Sequence, residues 1–238
     1  MENLNEMAYP TSFSFEDLKK CRSYAAKKKY LDAHLEKISS GSSRIVYRVD
    51  GEKVIKLAKN AKGLAQNEEE ASKGNWDIDI FAEVFDSDPE NYWIEMEIAR
   101  KPKLSDFKRL YGIPFSYIED FMIHIYKQSG SDCYKYKFLS VSNHDFQKFF
   151  KDFIEWEDDN PTEYFKISDK LGYFLKGLYE YIANYSPCFA DISDWRRIAN
   201  WGIVSRNVED EFVIVDFGIN EDIYNDFYKK TPINKHIW

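Results

Sequence analysis

Ser39-Ser40-Gly41-Ser42-Ser43-Arg44-Ile45-Val46-Tyr47, then Val54-Ile55-Lys56 and, far down the chain, Val213-Ile214-Val215-Asp216-Phe217-Gly218 are the stretches from which the fold is read. Between residues 37 and 57 apolar side chains fall in alternation: Ile38, then Ile45, Tyr47 and Val49, then Val54, Ile55 and Leu57. That is the period of strands with a buried face. Asp50-Gly51 separates the second and third runs and predicts a hairpin turn with positive φ. In the third strand Ile55 and Leu57 face one side of the sheet, while Lys56 shares the other with Val54. A lysine so placed turns to water unless an acid lies within reach. The polar helix expected over 62–73 offers such acids in Glu68, Glu69 and Glu70.

Upstream, Ser14 with Asp17 resembles a capping box, and Phe15, Leu18, Tyr24, Tyr30, Leu31 and Leu35 predict one helix running to Glu36. Downstream, strands are expected over 79–85 and 92–98, separated by the turn-forming cluster Asp86-Ser87-Asp88-Pro89-Glu90-Asn91. After Pro102 the texture becomes helical, over 104–110, 117–126, 146–156 and 161–185, the last with Asn160 as cap and Pro161 at the first helical position. Strands return over 202–204 and 211–215.

The chain has 238 residues, 44% of them hydrophobic, enough to bury a core in one large domain or two lobes. A formal charge of −8 argues against nucleic acid as a partner, since phosphate-backbone binders gather excess Lys and Arg. Cys21, Cys133 and Cys188 show neither disulfide-framework nor zinc spacing. No run approaches the roughly 18 apolar residues that span a bilayer, so no membrane partner and a cytoplasmic location are expected. Aromatic residues, 17% of the chain, are read as core fillers.

Chemistry concentrates in three places. Residues 39–43 are small enough for backbone N–H groups to approach a polyphosphate, although only Gly41 supplies the glycine such loops favour. Asp216, at the end of an apolar strand, offers a hard carboxylate oxygen to Mg²⁺. Between Asp191 and Gly202, an acid (Asp191 or Asp194) and Asn200 lie on one expected loop, where the acid can orient an acceptor hydroxyl and the amide oxygen can hold a second metal.

Taken together, these residues resemble the protein-kinase-like superfamily, and within it the small kinase-like proteins of tailed bacteriophages. The motifs of the resemblance are Gly41 to Tyr47, Val54-Ile55-Lys56, Lys62 to Asn67 with Glu70, Trp93 to Ala99 as lobe connector, Asn200-Trp201-Gly202 and Asp216-Phe217-Gly218. It implies an α+β, bilobal protein-kinase-like fold: a small antiparallel β-sheet N-lobe and a mainly helical, truncated C-lobe. The corresponding boundaries are 1–36 for an N-terminal helical extension, 37–100 for the N-lobe, and 101–238 for the C-lobe with catalytic loop and terminal hairpin. It also implies ATP and Mg²⁺ as cofactors. Gly41, Ser42, Ile45, Val54, Lys56, Glu70, Met96, Glu97 and Ile98 would border the nucleotide; Asn200 and Asp216 would hold metal; Asp191 or Asp194 would act with Lys56 in catalysis.

The departures bear on function. Protein kinases place the catalytic Asp five residues before the Asn, and that position here is Trp195. The His-Arg-Asp sequence is missing, and the tail after Gly218 is too short for an activation segment and peptide platform, so acceptor recognition is expected from the helices over 104–185 or from the N-terminal helix. Two readings follow: an ATP- and Mg²⁺-dependent phosphotransferase acting on a protein or small-molecule hydroxyl, or a pseudokinase that binds nucleotide or a protein partner, such as a host factor, as a scaffold. Transfer of an adenylyl instead of a phosphoryl group is a third expectation left open.

Overall fold

The computed structural model describes residues 12–74, 79–128, 144–157, 167–185 and 189–229. The expected helix start at Asn160-Pro161, together with Cys133 and Cys188, lies outside them. Within the described residues the chain forms two compact units, and the architecture is α+β: an antiparallel sheet with helices in one unit, and helices with a hairpin in the other.

The sheet unit comprises residues 12–74, 82–100 and 216–229. It opens with two helices, α1 (Phe15–Lys20) and α2 (Tyr24–His34), where the sequence predicted one. The break has a local cause: Cys21 leaves the helix with ψ 108°, and the Ser23 hydroxyl then accepts a hydrogen bond from Ala26 N, capping a fresh start. Strands β1 (Glu36–Ser40), β2 (Arg44–Arg48), β3 (Lys53–Ala58), β4 (Val84–Ser87) and β5 (Trp93–Glu97) follow, with α3 (Ala61–Lys73) between β3 and β4. They pair antiparallel in the order β1-β2-β3-β5-β4.

The β2–β3 turn differs from expectation. Gly51 is not among the residues with positive φ, and the Asp50 carboxylate instead accepts from Glu52 N at 2.7 Å and Lys53 N at 2.8 Å, closing the turn with its own side chain.

Register decides which residues share a face. Ile45 lies opposite Leu57, Tyr47 opposite Ile55, and Leu57 opposite Trp93; all five are buried against Phe13, Leu18, Leu31 and Leu35 of the N-terminal segment. On the other face Val46 pairs with Lys56, Lys56 with Ile94, and Val54 with Met96. Arg44, two residues before Val46, joins this second face.

The helical unit comprises 79–81 and Lys101–Val215. It holds α4 (Leu104–Tyr111), α5 (Phe115–Gln128), α6 (His144–Glu157), α7 (Asp169–Tyr185), α8 (Phe189–Trp195), a 3₁₀ turn Ile198–Asn200, and the hairpin β6 (Trp201–Arg206) and β7 (Glu209–Ile214). Its core is aromatic: the Phe107 ring centroid lies 4.8–5.8 Å from Tyr111, Phe115, Phe174 and Phe212, within the range for favourable ring pairs.

The strand predicted over 79–85 is corrected. Sheet pairing starts only at Val84, while Ile80 O accepts from Ile214 N at 2.8 Å and Phe81 bridges Ile214 in parallel. Ile80 and Phe81 are buried in the helical unit's core, Phe81 against Tyr181 and Trp195, and that burial draws the segment to the hairpin. The units also differ from the boundaries read in the sequence: 12–35 packs as part of the sheet unit, and the chain from Asp216 on, with α9 (Glu221–Phe227), packs there too.

Candidate functional site

Lys56 is 8% exposed, and its ammonium lies 2.8 Å from Glu70 Oε2. Burial lowers the Lys56 pKa, since an ammonium loses hydration in the core; the nearby Arg44 pushes the same way, and Glu70 and Asp216 resist. α3 is held in the register that makes this pair. Asn60 Oδ1 caps it by accepting from Gly63 N at 3.1 Å, and Asn67, fully buried, donates through Nδ2 to Lys56 O at 3.3 Å and Asn91 O at 2.9 Å. With Asn67 facing the sheet, Glu70 three residues on faces it as well. Glu68 is exposed, and Glu69 pairs with Lys73 at 3.1 Å.

Arg44 was missed in the sequence. It is 8% exposed, with Nη1 2.8 Å from Glu70 Oε2, the atom that also meets Lys56, while Nη2 donates to Asp216 Oδ1 at 2.7 Å. The result is a chain of alternating charge, Lys56–Glu70–Arg44–Asp216, two cations and two anions. Burial works against the Arg44 charge, but Glu70 and Asp216 outweigh it and raise its pKa. Glu70 Oε1 is buried without a hydrogen-bond partner among the described residues, and Arg44 Nη1, though close to Glu70, also lacks an aligned bond. The signal that could have found Arg44 is the pleat: it alternates with Val46 on the face that carries Lys56.

The segment after Asp216 is tied to α3. Lys73 Nζ donates to Phe217 O at 3.0 Å and Ile219 O at 3.1 Å, and Asn220 Nδ2 donates to Glu69 Oε2 at 2.7 Å. Gly218 approaches so closely that a Cβ there would sit 2.6 Å from Gln66 O. Gln66 itself accepts from Ser43 Oγ at 2.6 Å and donates to Tyr228 OH at 3.0 Å. Asp216 is thereby positioned by α3, its side chain 39% exposed at the open end of the charge chain.

The small-residue loop is braced by its neighbours. Gly41 N donates to Arg44 O at 2.9 Å, Lys59 Nζ donates to Gly41 O at 2.7 Å, Asn60 Nδ2 to Ser42 O at 3.1 Å, and Lys62 Nζ to Ser42 Oγ at 3.1 Å. Nothing in its geometry demands glycine at 41, where a Cβ would meet only Arg44 O at 3.9 Å. Among the expected nucleotide borders, Val54 and Met96 share the Lys56 face. Ile45 does not: the pleat turns it into the core against the N-terminal helices, and its neighbour Val46 lies on the Lys56 face. Glu97 N and Ile98 N are already donors, to Glu83 O at 2.8 Å and Glu52 O at 2.6 Å.

In the helical unit the expected loop from Asp191 is instead the helix α8 followed by the 3₁₀ turn. Ile192 and Trp195, three apart and both buried, give the helix its core face. Asp191 on α8 is 2% exposed, and Asp194 lies 3.5 Å from Arg197. Trp195, five residues before Asn200, is fully buried, and its carbonyl accepts from Trp201 Nε1 at 2.6 Å. Asn200 donates through Nδ2 to Asp194 O at 2.9 Å, leaving its amide Oδ1 as the metal-capable atom, and its carbonyl accepts from Val215 N at 2.9 Å.

No family model matches this sequence, and no match was found among curated proteins. Among solved structures the chain is similar to aminoglycoside phosphotransferase APH(2'')-Ib in its ADP-bound form, at 16% identity, with 77% of this chain and 65% of that one covered and a TM-score of 0.33. It is also similar to the streptomycin–ATP ternary complex of APH(2'')-IIa, at 16% identity, 92% and 72% coverage and a TM-score of 0.32. A third is a choline/ethanolamine kinase family protein from Mesorhizobium loti, at 15% identity, 77% and 57% coverage and a TM-score of 0.31. The chain thus spans less than two thirds of the length of the first and third of these proteins.

Proposed function

We propose that the chain is an ATP- and Mg²⁺-dependent phosphotransferase whose nucleotide phosphates meet the Lys56 face of the sheet. One observation supports this above the rest: the ion chain that joins Lys56, Glu70, Arg44 and Asp216 inside the sheet unit. An ammonium fixed by a buried carboxylate is preorganised for phosphate, because little rotamer freedom is left to lose on binding. Asp216 would hold Mg²⁺ through its carboxylate and Asn200 a second Mg²⁺ through its amide oxygen, both of them hard ligands that suit the ion. The metal, when bound, neutralises phosphate charge and orients the γ-phosphoryl group. Val46, Val54 and Met96 lie on the same face and would border a purine ring. Asp191 or Asp194 would orient the acceptor hydroxyl, on a protein or a small molecule. No helix among the described residues is long and apolar enough to cross a membrane, and the acidic net charge speaks against nucleic acid as acceptor. A cytoplasmic location belongs to the same proposal.

The test is substitution at the two ends of the ion chain. Lys56→Met and Asp216→Ala are each expected to cut ATP turnover by about a hundredfold or more while the far-ultraviolet circular dichroism stays native. Turnover at the wild-type rate in either variant rejects the assignment.

A second reading, a nucleotide-binding scaffold without turnover, is favoured by the α8 geometry. Trp195 fills the position five before Asn200, Asp191 is 2% exposed, and Asp194 is held by Arg197. A thermal-shift titration with ATP, with and without Mg²⁺, followed by a turnover assay separates the two. Both expect stabilisation by ligand binding to the native state, but only the enzyme turns ATP over.

A further inference from the structure

We infer that Arg44 is a second phosphate-binding cation of this site, and that until a nucleotide arrives it keeps Asp216 from binding metal. This rests on the proposed nucleotide reading, which assigned no role to Arg44.

Arg44 Nη2 already occupies Asp216 Oδ1 at 2.7 Å. A divalent cation approaching that oxygen meets a guanidinium in its way, and at such separations like charges in a partly buried setting repel strongly. The four groups together are electrically neutral, so free metal gains little from them.

A polyphosphate changes that balance. The guanidinium is planar and forked, the geometry that matches two phosphate oxygens at once. Arg44 Nη1 lies 2.8 Å from Glu70 Oε2 without an aligned hydrogen bond, and Glu70 Oε1 is buried without a partner among the described residues. Poorly paired buried groups are costly, and a phosphate oxygen would give Nη1 the aligned acceptor. In the loop over 39–43 the Gly41 N–H is already spent on Arg44 O. A side-chain cation can supply to phosphate what that N–H does not. When Arg44 turns to phosphate, Asp216 is released to a metal arriving with the same nucleotide. Lys56 holds Glu70 throughout, which keeps the site assembled.

The prediction has two opposite signs, which a merely structural role would not produce. In the full-length chain, Arg44→Gln is expected to weaken ATP binding measured calorimetrically in EDTA by about tenfold, the value of one charge-assisted hydrogen bond. The same variant is expected to bind Mn²⁺ alone, followed by electron paramagnetic resonance, about tenfold more tightly, because two carboxylates then face a single cation. Arg44→Lys, which keeps charge but cannot span Glu70 and Asp216 together, is expected to show both changes at reduced size; it provides the readout should the glutamine variant not fold. Unchanged affinities overturn the inference, and so does a parallel weakening of both ligands. Lys56→Met tells the two levels apart. If it loses ATP while Arg44→Gln binds as wild type, the nucleotide site stands and the role of Arg44 falls. If wild-type protein binds no ATP, both fall.

Discussion

Glu70 is the residue on which the site turns, since one of its oxygens, fully buried, balances both Lys56 and Arg44 at 2.8 Å. Buried ion pairs add little over an apolar core, yet removing one partner is severe because the other charge remains. Glu70→Gln keeps the shape and deletes the charge, leaving two buried cations with only Asp216 nearby. Its urea unfolding free energy is expected to fall by about 3–5 kcal/mol. Adding Lys56→Met to it is expected to restore part of that loss, because the surplus charge is gone. A Glu70→Gln protein within about 1 kcal/mol of wild type would show that the pair is solvated and the site open, against the burial seen. Lys56, Glu70 and Asp216 were legible in the sequence because each sits in a local pattern: a lysine in a β-branched run, an acid three residues after Asn67, a carboxylate after an apolar strand. Arg44 was not, for its role depends on Asp216, distant in sequence and brought near only by tertiary packing. Ile45 was misplaced for a related reason. Alternation shows that neighbours face opposite sides, but not which side carries the N-terminal helices.

At the scale of elements, α3 does most of the positioning, with Asn67 and Glu70 toward the sheet and Gln66, Glu69 and Lys73 toward the segment that carries Asp216. Its extent was readable as a polar run over 62–73 that ends before Gly74, while its cap, Asn60, was not read; the split of the N-terminal helix depended on Ser23 competing as a cap inside an otherwise periodic stretch. The strand expected over 79–85 shows the same limit: it was read as one strand, but Ile80 and Phe81 join the β6–β7 hairpin and only Val84 onward pairs with β5. That hairpin carries a testable cost. Its turn places Asn207 at φ 50° and Val208 at φ 71°, and a fully exposed valine in left-handed backbone gains no packing in return. Such strain costs about 1–3 kcal/mol, more than the roughly 0.5–1 kcal/mol of extra chain entropy a glycine brings. Val208→Gly, which makes the favoured Asn-Gly turn, is therefore expected to raise the melting temperature by about 2–4 °C. A melting temperature that stays level or falls would mean the turn does not hold that conformation.

Across the whole molecule, each unit has its own core, and the sheet unit builds its core from segments far apart in sequence. One face of the sheet bears the charge chain, and the other gains its apolar burial from α1 and α2, which cover it. Fully buried Leu18 and Leu31 meet Ile45, Tyr47, Ile55, Leu57 and Trp93 there. The N-terminal helices are thus part of the scaffold that holds Arg44 and Lys56, because the same strands present both faces. If so, damage on the helix side should reach the site. Leu31→Ala removes a fully buried side chain and leaves a cavity, for which a loss of about 2–5 kcal/mol is expected in urea unfolding. Tyr173→Ala, at a side chain 69% exposed on α7, serves as the comparison and is expected to change stability by no more than about 0.5 kcal/mol. Hydrogen exchange locates the effect: amides of β2 and β3 should lose protection in Leu31→Ala, while those of β6 and β7 should keep theirs, since they belong to the other unit. Undiminished protection in β2 and β3 would mean that α1 and α2 rest on the sheet without supporting it, and that Arg44 and Lys56 are positioned by α3 alone.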